Sequence, residues 1–267
     1  MSAKPHPIVF IHGLWLHAGS WQPWEDYFRA RGYTTYAPGW PGDLDDVERT
    51  RAHPEAVADV GFDDVVTHYA EFIADLAAPP ILVGLSFGGM IAEKMLGQDG
   101  AVAAIAIDAP RVKGAMRAPL SAIRAALPLF RNPANRHRAI SLSREQFRYS
   151  IANTASGAES DQLYDRWTIP TSGRLLFEAG LASFTPDSPD ALATDENPDR
   201  GPLLLVMVGR DRGVPEAITK ASYGLYGDPI AVTDLLELQD RGHSLTIDAG
   251  WPELADDCLV WLEKQGL

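Results

Sequence analysis

A single cysteine, Cys258, in 267 residues removes two possibilities at once. No intrachain disulfide can form, and no thiolate cluster can hold a metal. Basic residues are also short: 23 Lys and Arg stand against 36 Asp and Glu, for a formal net charge of -13. Non-specific grip on a phosphate backbone comes from Lys and Arg, so nucleic acid is not an expected partner. No apolar run approaches the roughly 18 residues that a membrane helix needs, so no membrane span is expected. The opening stretch, MSAKPHPIVFIHGLWL, is broken by His12 and Gly13 and has no small-residue cleavage site after it. It reads as a first strand and not a signal peptide, and the expected location is the cytoplasm.

What the chain does have is apolar residues, 46% of the total, enough for a sizeable core. Six short runs rich in Ile, Val and Leu read as buried parallel strands: 8–13, 34–39, 80–86, 104–110, 202–209 and 231–239. Helical patterns separate them, among them WQPWEDYFRARG, DDVVTHYAEFIADLA, FGGMIAEKMLG, PEAITKASYGLYG and WPELADDCLVWLEK. Alternating strand and helix predicts an α/β fold with a mostly parallel six-stranded sheet flanked by helices. The rhythm fails between Pro110 and Pro202, where no convincing strand is found but helical patterns such as APLSAIRAALPLF and REQFRYSIANTA are. The expected organisation is therefore a core in two parts, 1–110 and 199–267, with a helical insertion at 111–198 over the strand ends. Charge is uneven as well. Residues 43–64 hold eight acids and two arginines, whereas 111–148 hold nine Lys or Arg and the single acid Glu145. Solvated faces account for this, as does a basic lid leaning on an acidic body or attracting anionic substrates.

Chemistry concentrates at Gly84-Leu85-Ser86-Phe87-Gly88. The pattern G-x-S-x-G recurs by chance, but here a strand runs into it and a helix leaves it. A sharp strand-to-helix turn lifts the hydroxyl of Ser86 out of the sheet, and the glycines permit close approach of strand and helix. Such a hydroxyl is a weak nucleophile and needs a base. His243, in LQDRGHSLTI beyond the last strand, is the best candidate, and Asp211, in GRDRGVP, is the carboxylate to orient it. Asp108, at the end of the strand after the nucleophile helix, is a rival acid, and Asp240 sits where it would brace the histidine loop. His12 is placed to shape the turn after the first strand. The remaining histidines show no metal-ligand spacing, and Cys258 falls on the apolar side of the last helix. An oxyanion needs two donors, and topology assigns them to the backbone N–H groups of Leu14 and Phe87.

With those residues in view, the chain resembles the α/β-hydrolase superfamily: HGLWLHAGSW, APGWPG, GLSFGGM, GRDRGVP and RGHSLTI occur in its order. The resemblance implies a Ser-His-Asp enzyme, most often a carboxylesterase or lipase-like hydrolase, with a cap in the position of the insertion. Only seven residues precede the first strand, which is similar to the compact plant esterase and hydroxynitrile lyase branch, without the two leading strands. The lyases of that branch carry Lys directly after the catalytic histidine, where this chain has Ser244. Leu85 stands where His commonly precedes the nucleophile. A Ser nucleophile departs from the Asp of haloalkane dehalogenases and epoxide hydrolases. The expectation is a serine hydrolase acting on a small-molecule ester, with no metal and no cofactor. Trp15, Trp40, Trp167 and Phe184 are candidate pocket walls, each with a structural core role as its alternative. Acyl transfer, perhydrolysis, a lyase step on the same triad, or a ligand receptor on the same fold remain as alternatives.

Overall fold

Four of the apolar runs form strands buried along their whole length: β1 (Ile8–Ile11), β3 (Ile81–Leu85), β4 (Ala103–Ile107) and β7 (Leu203–Val208). Burial on both faces is why these runs are continuously apolar and do not alternate. The structure is a computed structural model that describes residues 3–110, 132–182, 197–214, 216–226 and 231–267. Two further strands, β2 (Thr35–Tyr36) and β8 (Thr233–Leu238), complete a six-stranded parallel sheet in the order β2-β1-β3-β4-β7-β8. The edges differ from the centre. β2 pairs over two residues only, from Ile8 opposite Thr35 to Val9 opposite Tyr36, because Pro38 has no N–H with which to extend the ladder. β8 is only partly buried, and Asp234 and Glu237 along it blunt the open edge.

The pleat sorts side chains onto two cores. Phe10, Val83, Leu85, Ile105 and Val206 face α1 (Gln22–Arg29) and α9 (Trp251–Lys264). Val9, Ile11, Leu82, Ala104 and Leu205 face α3 (Phe62–Ala74) and α4 (Phe87–Gly97). Helix α1 has Pro23 in its first turn, a position where a missing N–H is tolerated, and buries Trp24 and Phe28 one turn apart. Helix α9 repeats the device with Pro252 and buries Leu254, Ala255, Cys258, Trp261 and Leu262 at helical spacing. Cys258 is fully buried, and burial pushes its thiol well up from the usual cysteine range. Helix α8 (Glu216–Leu225) connects β7 to β8, with Tyr226 beyond it packed on the α3/α4 side, and α2 (Val47–Ala52) is capped by the side chain of Asp46. Among the described residues no helix is long and apolar enough to cross a membrane.

Between β4 and β7 the described residues 132–182 carry α5 (Arg144–Ser150), α6 (Gly157–Trp167) and α7 (Gly173–Ala182). They also carry one antiparallel pair, β5 (Ala139–Ile140) with β6 (Thr171–Ser172), in a stretch where the sequence shows no strand. Two residues are too few to display an alternating pattern. The helical pattern APLSAIRAALPLF lies outside the described residues. This segment is docked on the N-terminal part of the core at several points. Trp15 Nε1 donates to Ile140 O (3.0 Å), Arg51 donates to Thr168 O (2.6 Å) and Tyr164 O (2.7 Å), and Ser172 Oγ donates to Ala58 O (3.0 Å). His137 pairs with Asp59 and Arg174 with Asp64, so basic groups of the inserted segment meet the acidic stretch 43–64.

Candidate active site

Ser86 sits between β3 and α4 with φ 55° and ψ −120°, a conformation that a side-chain-bearing residue adopts only at a cost of about 1–3 kcal/mol. The turn is tight because three backbone segments converge on it. A Cβ on Gly84 would lie 2.1 Å from Gly88 O, and one on Gly88 would lie 2.2 Å from Ile11 O. A Cβ on Gly13 would meet that of Ser86 at 3.1 Å, which places the loop after β1 directly against the serine. The Ser86 N–H donates to Ile107 O (2.8 Å), while Ser86 O accepts from Gly89 and Met90 and starts α4. The Phe87 and Leu14 N–H groups donate to no backbone carbonyl among the described residues. Phe87 N–H stands at the positive end of α4, and Leu14 follows Gly13, which is packed against the serine.

Ile107, which accepts from Ser86, is followed by Asp108, and Asp108 reaches the histidine. Its Oδ2 lies 2.8 Å from His243 Nδ1. Asp211 Oδ2 bonds the same Nδ1 from the end of β7. Asp211 is itself positioned by its neighbours: Gly209 N–H donates to Leu238 O (3.1 Å), Arg210 N–H to Arg241 O (3.0 Å), and Gly213 N–H to Asp211 Oδ1. His243 opens a 3₁₀ turn, His243–Thr246, after β8. Arg241 fastens that loop by donating to Gly250 O (3.0 Å), Leu245 O (3.1 Å) and Asp248 Oδ1 (2.7 Å). From below, Trp24 Nε1 donates to Thr246 O (2.9 Å), so the core also holds the loop.

Both acids are sealed from water and the imidazole is 13% exposed. Burial pushes the Asp108 carboxyl far above the usual carboxylate range, and the neighbouring charge of Asp211 adds to the effect. For Asp211 burial acts the same way but is outweighed by the His243 charge and by hydrogen bonds from Asp108, His243 and Gly213, so it is held well below that range. Burial disfavours a charge on His243, yet the two acids overcome it and raise the imidazole well above its usual value. The three ligand-type atoms lie within 4.8 Å of one another, the spacing of a metal site. A tetrahedral cation about 2.1 Å from each ligand would hold ligand atoms about 3.4 Å apart. The 2.8 Å contact is closer than that and is a hydrogen bond.

Residues 8–257 match the model of the alpha/beta hydrolase family. The chain belongs to that family. No curated protein matches it significantly by sequence. Solved structures resemble it over nearly its whole length. A Paleococcus ferrophilus monoacylglycerol lipase is 18% identical with a TM-score of 0.70, covering 99% of this chain and 96% of its own. An extracellular alpha/beta-hydrolase from a Paenibacillus species is 21% identical with a TM-score of 0.67, covering 94% and 97%. A methylesterase from Arabidopsis is 17% identical with a TM-score of 0.64, covering 97% and 99%. At these identities the likeness is one of fold, and membership of the family supports hydrolase chemistry.

Within this hydrolase, Ser86, Asp211 and His243 follow β3, β7 and β8, with Asp108 at the end of the intervening β4, and Phe87 and Gly13 adjoin the serine. A cavity next to Gly13 is lined by His12, Trp15, Trp40, Asp43 and Ile169 among others. Trp167 packs elsewhere, its ring edge against Gly19 and its carbonyl accepting from His17 N–H (2.9 Å), and Phe184 lies outside the described residues. Asp240 pairs with Arg210 (2.7 Å) on the histidine loop. Two features were not anticipated. Both Asp108 and Asp211 engage the histidine, where the sequence presents them as rivals. His12 is also more than a turn residue: its Nδ1–H donates to Gly13 O (3.0 Å), its Nε2 lies 3.0 Å from Asp43 Oδ2, and its ring stacks on Trp40 at 4.7 Å. The proximity of Asp43 in APGWPGD to His12 is a tertiary fact with no local signal.

Proposed function

We propose that this hydrolase cleaves carboxylic esters through an acyl-enzyme on Ser86, with His243 as general base and Asp211 as the acid that orients it. The observation that carries this reading is the engagement of His243 Nδ1 by carboxylates at the strand ends beside the strained serine turn. With Nδ1 taken, Nε2 is the ring nitrogen left for the serine proton. Ser86 Oγ attacks the ester carbonyl while its proton passes to His243 Nε2. The carbonyl oxygen becomes an oxyanion held by the N–H groups of Leu14 and Phe87, where such donors contribute about 3 kcal/mol each. His243 returns the proton to the departing alcohol. Water then enters, gives a proton to Nε2 and attacks the acyl-enzyme, and the acid leaves as Ser86 Oγ recovers the proton.

The cavity beside Gly13 is the natural seat of one arm of the substrate, apolar along Trp15, Leu16, Trp40 and Ile169 and polar at His12 and Asp43. Residues 111–198 serve as the cap over it, a role supported by the docking of 132–182 on Trp15, Arg51 and Ala58. Ser244 is fully buried and donates to Asp248 Oδ2 (3.0 Å), which supports hydrolysis over a lyase step that needs a cation there. The test is a pre-steady-state burst with p-nitrophenyl acetate. A burst near one equivalent, lost in Ser86→Ala, is expected. No Ser86-dependent release from folded protein across a panel of acyl esters would refute the esterase reading and favour a ligand receptor.

A further inference from the structure

We infer that Asp108 is a second positioning acid: it shares the Nδ1 proton of His243 with Asp211 and takes over the orienting role when Asp211 is neutralised. The inference rests on the hydrolase reading of the site, and its basis is geometric. Two carboxyl oxygens from neighbouring strands, β4 and β7, reach one nitrogen that has one proton to give. Asp108 is held there firmly. Its N–H donates to Val206 O (2.8 Å), its φ of 48° is left-handed, and its side chain is fully buried.

Such a placement is costly unless the group is used. A buried carboxyl in a left-handed conformation carries backbone strain, and Asp108 Oδ1 has no partner among the described residues. Two carboxylates at one N–H cannot both ionise cheaply, so the pair retains one proton. Burial and the charge of Asp211 place that proton on Asp108, while the hydrogen bonds from His243 Nδ1–H and the Gly213 N–H keep Asp211 ionised. At rest one proton sits on the Asp108 carboxyl, one on Nδ1, and the negative charge on Asp211. Removing the Asp211 charge removes the repulsion. Asp108 then releases its proton to solvent and becomes the carboxylate that accepts from Nδ1. Among the described residues, the ionisable groups facing the imidazole are these two acids. Arg210 is turned to Asp240, Arg241 to Asp248, and Arg212 lies over the ring of Tyr149.

The experiment compares Asp211→Asn, Asp108→Asn and the double variant in kcat/KM for p-nitrophenyl acetate, with thermal melts to establish folding. A triad stripped of its acid loses about 10⁴-fold, the loss expected of the double variant. Asp211→Asn alone should lose only about 10²-fold, because Asp108 still fixes the tautomer that the full loss would forfeit. A single Asp211→Asn variant as damaged as the double would overturn the inference. A second readout needs neither turnover nor an Asp108 variant: NMR titration of the His243 ring in Asp211→Asn. An imidazole pKa still above about 6.5 supports a take-over by Asp108, and one at or below it overturns the inference. Wild-type protein without Ser86-dependent turnover would refute the esterase reading alone, leaving the NMR result to decide the role of Asp108.

Discussion

Replacing Gly88 by alanine should destabilise this protein and disarm its serine, although alanine is the better helix former by about 1 kcal/mol. Gly88 is the second residue of α4, where helix propensity alone predicts a gain. The added Cβ would stand 2.2 Å from Ile11 O and 2.7 Å from His12 O, whereas ordinary contact begins at 3.4 Å. Both obstacles are backbone of the buried strand β1 and of the residue that follows it, so no side chain can swing away. The turn must open by about 1 Å, and overpacking of this kind costs typically about 1–3 kcal/mol. Backbone on both sides of the contact puts Gly88→Ala at the upper end, for a net loss of about 2 kcal/mol after the propensity gain. Function should suffer more. In the proposed mechanism the same movement displaces the Phe87 N–H from the oxyanion, and a misplacement of about 1 Å costs about 10²-fold in rate. Urea unfolding and burst amplitude read the two effects separately. Gly224→Ala is the control, because among the described residues its Cβ meets nothing within 4 Å on an exposed part of α8, and it should be neutral or mildly stabilising. A Gly88→Ala protein as stable as Gly224→Ala, with its burst intact, would refute the reasoning.

Three further outcomes follow from the same geometry. Because burial is overcome by Asp211 and Asp108, His243 is neutral only above its raised pKa, so kcat/KM should climb with pH through a limb above the ordinary 6.5. A pH profile with its limb at or below that value would contradict this balance. Arg241→Gln removes donors to Gly250 O, Leu245 O and Asp248, and should cost about 2 kcal/mol in stability while lowering kcat more than it raises KM. Steady-state kinetics beside a denaturation curve test that split. Trp24→Ala empties a fully buried site and releases Thr246 O, so a loss of about 3–5 kcal/mol is expected in chemical denaturation.

The sheet was legible because its signal is local. A run such as ILVGL is apolar at every position only if both faces are covered, and all six runs proved to be strands. FGGMIAEKMLG and WPELADDCLVWLEK coincide with α4 and α9 residue for residue, since each carries its own start: a strand-ending serine in one, a proline in the other. Legibility fell where tertiary contact decides. β2 ended early at a proline whose missing N–H matters only at a sheet edge. β5 and β6 owe their existence to each other, being two residues each and some thirty residues apart. At the site, type and order pointed to Ser86, His243 and Asp211, and the two aspartates were read as competitors. Sequence can rank two acids at two strand ends, but it cannot register that both strand ends lie within hydrogen-bond reach of one nitrogen.

The inserted segment is tied to the elements that would do the chemistry, and this bears on how the site keeps its shape. Trp15, one residue after the proposed donor Leu14, has φ 61° and anchors its indole to Ile140 O, while its own carbonyl accepts from Ile169 N–H (3.0 Å). Leu16 bridges to Thr168, and His17 N–H donates to Trp167 O. Four consecutive residues, from the donor onward, thus have three fastened to the insertion, and on the other side Gly13 is wedged against Ser86. An oxyanion donor contributes only when it is preorganised within a few tenths of an ångström. In this arrangement a strained loop with no regular structure of its own gets that rigidity from strand β1 at one end and from residues 132–182 at the other. In the proposed mechanism the insertion therefore bears on the reacting carbonyl through the Leu14 N–H as well as through the walls of the pocket.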